Sequence, residues 1–218
     1  MFFKCYNNAE MAFEDLYDKI IEDGYESNGT KIFYDVGIKI LNPTDNLINT
    51  NWRKWKNSYA EMEWKWYLSA NPNAQEISKI AKIWLNLMDK NGNVNSNYGF
   101  QWSRHFQLDK VIKMLRNEPK TRRASISIYD GKELDGYAQD TPCTYAINFY
   151  QDENSKLSMQ VMMRSNDLVY GFCNDQYCFS KLQELVAKRL NWEIGTYFHY
   201  ACNLHIYEKH YKLKINKL

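Results

Sequence analysis

Thr196-Tyr197-Phe198-His199-Tyr200-Ala201-Cys202-Asn203-Leu204-His205-Ile206-Tyr207-Glu208 reads as one long strand, from about 196 to 208. Side chains alternate across a strand, so Tyr200, Cys202, Leu204 and Ile206 are expected on one face and Asn203, His205 and Tyr207 on the other. Two hydrogen-bonding rings two residues apart can grip the hydroxyls of a sugar. Such a face is simply solvated in most strands, and parity alone leaves both readings open.

Upstream of this strand, Ile126/Ile128, Tyr145/Ile147/Phe149 and Leu157/Met159/Val161/Met163 each alternate, which predicts three further strands with an antiparallel core. Asp130 to Gln139 reads as a connecting loop, and a helix spans roughly 175–190, carrying Cys178, Leu182, Leu185 and Val186. In the first half, Phe13, Leu16, Tyr17, Ile20 and Ile21 recur at helical spacing and stop at Gly24, and Ile32 to Ile40 alternates as a strand. One helix is expected through Trp52, Trp55, Tyr59, Met62 and Trp66, a second through Ile77, Ile80, Ala81, Trp84 and Leu85, and a third through Leu108, Val111, Ile112 and Leu115. Asn91 to Gly99 is polar and turn-rich. Helices and strands mix without regular βαβ alternation, so the class is α+β: a single domain over 1–218, with a large mixed or antiparallel sheet and packed helices.

Composition narrows the function classes. A hydrophobic content of 44% and a charged content of 25% suit a globular domain rather than a disordered or fibrous chain. A net charge of +2 is too small to attract nucleic acid or membrane in bulk, so any basic site must be local. No apolar run approaches a membrane span, and Met1 to Cys5 lacks the features of a signal peptide, which makes a cytoplasmic protein the default. The five cysteines are scattered without a C-x-x-C pair and histidines number four, so neither a disulfide frame nor a metal site is expected. Trp52-Arg53-Lys54-Trp55-Lys56 interleaves bases and aromatics, but its tryptophans fall on the apolar stripe of the expected helix. Nucleic-acid binding is therefore disfavoured.

Cys143, after Thr141-Pro142, reads either as a small buried hydrophobe or as a nucleophile. The second reading needs a cation to stabilise the thiolate, and Arg164 or the pair Arg122-Arg123 could supply one. Two converging guanidinium groups also bind phosphate by bidentate hydrogen bonds.

Taken together, Thr141-Pro142-Cys143-Thr144, Arg122-Arg123, Arg164 to Gly171 and His205-Ile206-Tyr207 resemble the thymidylate synthase superfamily in order and spacing. Within it, Asn95 to Gly99, Arg164-Ser165-Asn166-Asp167 and Gly171-Phe172-Cys173-Asn174-Asp175 are most similar to the bacteriophage deoxycytidylate hydroxymethylases. The resemblance covers about residues 57–211 and is strongest from 95 onward. It implies a homodimeric one-carbon transferase using 5,10-methylenetetrahydrofolate, converting dCMP to 5-hydroxymethyl-dCMP for modified phage DNA in the host cytoplasm. Cys143 matches the nucleophile that adds to carbon 6 of the pyrimidine. Arg164 matches a residue that binds phosphate and depresses the thiol pKa, and Ser165 and Asn166 fall beside it in the substrate-binding segment. Arg122 and Arg123 match the pair reaching the other subunit's phosphate, and His205 and Tyr207 match the residues on the sugar hydroxyl. Glu61 is similar to the carboxylate that orders water, and Tyr98 to a tyrosine of the proton-transfer network. Trp84, Asp167 and Gly171 resemble positions beside the folate.

Asp175 bears on the base. Thymidylate synthases carry asparagine at this position, which suits uracil, whereas a carboxyl group suits the 4-amino donor of cytosine. A simple helix cap is the bland alternative, since Asn174 and Asp175 are both good capping residues. Two departures from the superfamily stand out. Glu22 to Lys31 holds no arginine where a phosphate-binding one is expected, and only eleven residues follow Tyr207, which implies a more open folate pocket. A dCMP methylase, a dUMP-using thymidylate synthase and a catalytically silent nucleotide- or RNA-binding relative are the competing readings.

Overall fold

A computed structural model describes residues 2–137 and 139–215 of the chain, so Met1, Ala138 and residues 216–218 of the expected domain lie outside the described residues. Its strands are β1 (Phe2–Tyr6), β2 (Tyr25–Ser27), β3 (Thr30–Ile40), β4 (Ser125–Ser127), β5 (Thr144–Gln151), β6 (Leu157–Met163), β7 (Asn166–Asp167) and β8 (Ile194–Tyr207). They form one sheet in the order β1-β3-β8-β6-β5-β4, with β2 added to β3 and β7 to β8. The sheet is mixed: β3 with β8 and β5 with β6 are antiparallel, whereas β1 with β3, β6 with β8 and β7 with β8 are parallel. The antiparallel core expected from the sequence is therefore only part of it.

Along one edge of β8 the partner changes. β6 pairs as far as Met163↔Ala201, and β7 resumes at Asn166↔Leu204, so Arg164 and Ser165 sit at a break in the partner strand. Burial along β8 follows Tyr197, His199 and Ala201, then changes parity to Leu204 and Ile206. The change lies at Cys202-Asn203, opposite Asp35 of β3, whose φ of 54° is left-handed and kinks the pair. The row Tyr200, Cys202, Leu204 and Ile206 expected on one face is accordingly split in its burial: Leu204 and Ile206 are buried, Cys202 is exposed, and the Tyr200 hydroxyl donates to Asp35 Oδ1 at 2.7 Å.

Helix α1 (Ala9–Asp23) is capped by Asn8, whose side chain accepts from the Met11 N–H, and it buries Phe13, Leu16, Tyr17 and Ile20. Helix α2 is Asn57–Leu68, α3 Gln75–Ser78, α4 Ile83–Leu87, α5 Tyr98–Ser103, α6 Gln107–Asn117 and α7 Cys173–Leu190. α7 buries Phe179, Leu182 and Val186 in the same core as the inward residues of β3, β5 and β6. Two expected helices are shorter than their spacing predicts. Lys54 has a left-handed φ of 49°, so α2 starts only after Trp52 and Trp55; Trp52 stacks on Phe13 and the Trp55 indole donates to Asn174 Oδ1. The stretch from Ile77 to Leu85 is broken between α3 and α4, leaving Ile80 and Leu85 exposed. Among the described residues no helix is long and apolar enough to cross a membrane.

α5 opens with Tyr98-Gly99 against the end of α2, where a Cβ on Gly99 would overlap the Tyr67 carbonyl. Gly99→Ala should therefore destabilise the fold by about 1–3 kcal/mol, as overpacking does. Denaturant titration checks this, and an unchanged midpoint would contradict the close approach.

Candidate active site

Where the partner of β8 breaks, a cleft of about 550 Å³ opens between the sheet edge, α2, α4 and the start of α7. Cys143 enters it from the residue before β5 and Arg164 from the residue after β6, the two joined by an Arg164 N–H to Cys143 carbonyl bond of 2.8 Å. The guanidinium is held by carbonyls: Nε donates to Pro142 O at 3.1 Å and Nη2 to Thr141 O at 2.8 Å. That posture leaves Nη2 3.8 Å from Cys143 Sγ. The sulfur is half-buried rather than sealed in the core. Burial pushes its thiol up to about 11, with the Arg164 guanidinium pulling the other way and Asp175 and Asp140 adding to the rise. Arg164 thus pulls the thiol pKa down, as expected of it, but desolvation is larger and the net shift is upward.

Two buried carboxyl groups share the cleft. Asp175 lies in the first turn of α7, beyond the cap position, and its Oδ2 accepts from Asn166 Nδ2 at 2.7 Å. The helix-cap reading is therefore replaced by a side-chain contact into the cleft. Burial pushes Asp175 up to about 7, while the Asn166 N–H opposes the rise. The second carboxyl is Glu63 of α2, only 5% exposed and pushed up to about 8 by burial and by Asp175. The Trp84 indole donates to the Tyr59 hydroxyl at 3.1 Å, and that hydroxyl donates to Glu63 Oε1 at 3.2 Å.

Glu63 corrects the expectation for Glu61. Successive helix residues turn by about 100°, so residues two apart face opposite sides. Glu61 is exposed, accepts from Asn57 Nδ2 at 3.1 Å and stands outside the cleft. The buried stripe of α2 is Ala60, Glu63 and Tyr67. That i, i+3, i+7 spacing was the available signal for Glu63, masked by a stripe drawn through the tryptophans.

The other expected residues divide into two groups. Tyr98, Ser165, Asn166, Asp167, Gly171, His205, Tyr207 and Trp84 all line the cleft. The Tyr98 hydroxyl accepts from the Thr144 N–H at 3.3 Å. The His205 and Tyr207 rings meet edge to face at 5.1 Å, and His205 Nδ1 contacts Asn203 Oδ1 at 2.9 Å. Burial lowers the His205 pKa, which favours its neutral form. Asp167 accepts from the Val169 and Tyr170 N–H groups, capping the π-type turn Leu168–Phe172 that leads into α7. Arg122 and Arg123 lie elsewhere: both are exposed outside the cleft, and Arg123 pairs with Glu118 at 2.7 Å. Tyr59 and Asn174 also border the cleft and were not anticipated.

On the α4 side of the cleft, Trp84, Leu87 and the largely exposed Ile83 form an apolar wall of the kind a flat aromatic ring such as that of a folate stacks on. Asp167 and Gly171 line the same cleft.

Comparison with known proteins gives the family. The family model described as thymidylate synthase matches residues 11–218, and the chain belongs to that family. It is 29% identical over 174 residues to the thymidylate synthase of Bacillus mojavensis, covering 75% of this chain and 61% of that protein. It is 26% identical over 229 residues to the thymidylate synthase of Bacillus licheniformis, covering 94% and 81% respectively. A thymidylate synthase of Bacillus phage phi3T is 28% identical over 174 residues, covering 75% of this chain and 61% of that relative.

The raised thiol gives a direct test. Alkylation of Cys143 by iodoacetamide in the free protein should rise with pH toward a midpoint near 11, because the thiolate is the reactive form. Arg164→Leu should move that midpoint higher by removing the opposing cation. Peptide mass spectrometry reads the site, and a midpoint below 8 in the unliganded protein would contradict the balance described.

Proposed function

We propose that the protein transfers a one-carbon unit to carbon 5 of dCMP and forms 5-hydroxymethyl-dCMP, with 5,10-methylenetetrahydrofolate as the donor. The observation that carries the reading is one cleft holding Cys143 Sγ beside Arg164 Nη2 and, with them, the Asp175 carboxyl. Sulfur adds to carbon 6 of the ring, which makes carbon 5 electron-rich and ready to attack. The folate, when bound, supplies a carbon at the oxidation level of formaldehyde.

Each residue then has a task. Arg164, with Ser165 beside it, holds the phosphate. His205 and Tyr207 bind the sugar hydroxyl, and Tyr98 belongs to the proton-transfer network. Glu63, held by Tyr59 and through it by Trp84, orders the water that manages protons; Trp84, Asp167 and Gly171 flank the folate. In a homodimer the exposed Arg122 and Arg123 reach the phosphate of the other subunit, a reading supported by their position outside their own cleft.

Asp175 selects the base. As a carboxylic acid it offers an acceptor to the 4-amino group of cytosine and a donor to ring nitrogen 3. The names of the relatives favour a second reading, a thymidylate synthase using dUMP. The carboxyl group at 175 argues against it.

The test is to incubate the protein with methylenetetrahydrofolate and dCMP, dUMP or CMP in turn, and weigh the products. A gain of CH2O on dCMP is expected. A gain of CH2 on dCMP means a methylase, product from dUMP means a thymidylate synthase, and no product from any nucleotide means a silent relative. Asp175→Asn should shift the preference toward dUMP by about tenfold or more, since each mismatched buried polar group costs about 1–3 kcal/mol.

A further inference from the structure

Asp175 does not stand alone. Asn166 Nδ2 donates to Asp175 Oδ2 at 2.7 Å, Asn166 Oδ1 lies 3.1 Å from His199 Nε2, and His199 Nδ1 lies 2.7 Å from the Tyr197 hydroxyl. Asn166, His199 and Tyr197 are all buried, on the adjacent strands β7 and β8. None of the roles proposed above uses His199 or Tyr197.

Hydrogen-bond polarity runs one way through this row. Among the described residues the Tyr197 hydroxyl has His199 Nδ1 as its hydrogen-bond partner, and a buried hydroxyl hydrogen left without an acceptor is costly. The hydroxyl therefore donates, and Nδ1 accepts. Burial keeps His199 neutral by pushing its pKa down to about 3, so its single ring proton resides on Nε2. Nε2 donates to Asn166 Oδ1, which orients the amide with its NH2 toward Asp175. Oδ2 of Asp175 must then accept, and any acid proton on that carboxyl is confined to Oδ1.

We propose that Asn166, His199 and Tyr197 are positioning residues that fix which oxygen of Asp175 donates and which accepts, and thereby set the preference for cytosine over uracil. The proposal rests on the base-reading role of Asp175 given above. An unrestrained carboxylic acid can move its proton between its two oxygens and so match either base: cytosine offers an acceptor at N3 and a donor at N4, and uracil the reverse. With the proton pinned on Oδ1, opposite N3, the pair fits cytosine alone. Uracil meets donor with donor at N3 and acceptor with acceptor at O4.

Gly171 supports the same geometry. A Cβ there would come 2.7 Å from Asn166 Nδ2 and 3.3 Å from Asp175 Oδ2, so the lack of a side chain at 171 leaves the first link of the row its space. The row also has no counterpart in the helix-cap or phosphate roles of its neighbours.

The test measures dissociation constants of dCMP and dUMP on the full-length protein by calorimetry, for the unmodified chain and for Tyr197→Phe, His199→Leu, His199→Gln and Asp175→Asn. Tyr197→Phe removes the donor that sets the direction of the row while keeping the ring, and it remains informative should His199→Leu fail to fold. Both Tyr197→Phe and His199→Leu should lower the dCMP-to-dUMP affinity ratio about tenfold, the scale of one mispaired buried group. His199→Gln, whose amide N–H can still donate to Asn166, should restore most of the ratio. A purely structural role weakens both nucleotides together and leaves the ratio unchanged, which overturns the proposal provided Asp175→Asn does change it. An unchanged ratio in Asp175→Asn as well removes the base-reading role of Asp175 itself, and the relay with it.

Discussion

One strand runs unbroken while its neighbour does not, and the cleft follows from that. β8 is paired by β6 up to Ala201 and by β7 from Leu204, and the chain between these two partners is Arg164-Ser165. The break turns Arg164 back onto the carbonyls of Thr141 and Pro142, beside the sulfur of Cys143. Two residues later β7 docks on β8 and brings Asn166 to His199 on one side and Asp175 on the other. Asp167 then caps the turn that starts α7, which fixes where Asp175 stands. A sheet paired continuously along β8 would have none of these side chains converging.

Electrostatics in the cleft is governed by desolvation more than by pairing. Burial raises Cys143, Asp175 and Glu63 together, and the Arg164 guanidinium, itself exposed, only partly offsets the rise at the sulfur. Desolvation therefore opposes ionisation of the Cys143 thiol and brings the titration of the two carboxyl groups up toward neutral pH. A carboxyl poised in this way can act as donor or acceptor, which suits reading a base edge and moving protons. The cost falls on stability: a carboxyl whose folded pKa is raised binds protons more readily in the native state, so the stability it contributes falls as pH rises from its unfolded pKa to its folded one.

How much of this is legible in the sequence depends on which residues carry a periodic signal. β3, β5, β6, α1, α6 and α7 bury one stripe each and are readable from spacing. β1 is not, because Phe2 to Tyr6 forms an edge in which only Tyr6 is buried. The tryptophan run misleads because Trp52 and Trp55 are held by tertiary contacts with Phe13 and Asn174 rather than by a helix, and it draws attention to the wrong face of α2. The neighbourhood of Cys143, Arg164, Asp175, His205 and Tyr207 is legible through motif order. The pairing of Asn166 with His199 is not: the two are 33 residues apart and meet only through the docking of β7 on β8.

The most direct measurement is release of tritium from carbon 5 of labelled dCMP and labelled dUMP, because that hydrogen becomes labile only when sulfur has added to carbon 6. The account predicts release from dCMP at least about ten times faster than from dUMP, and none from either nucleotide with Cys143→Ala. Equal release from both bases, or release that survives the loss of the sulfur, would contradict it.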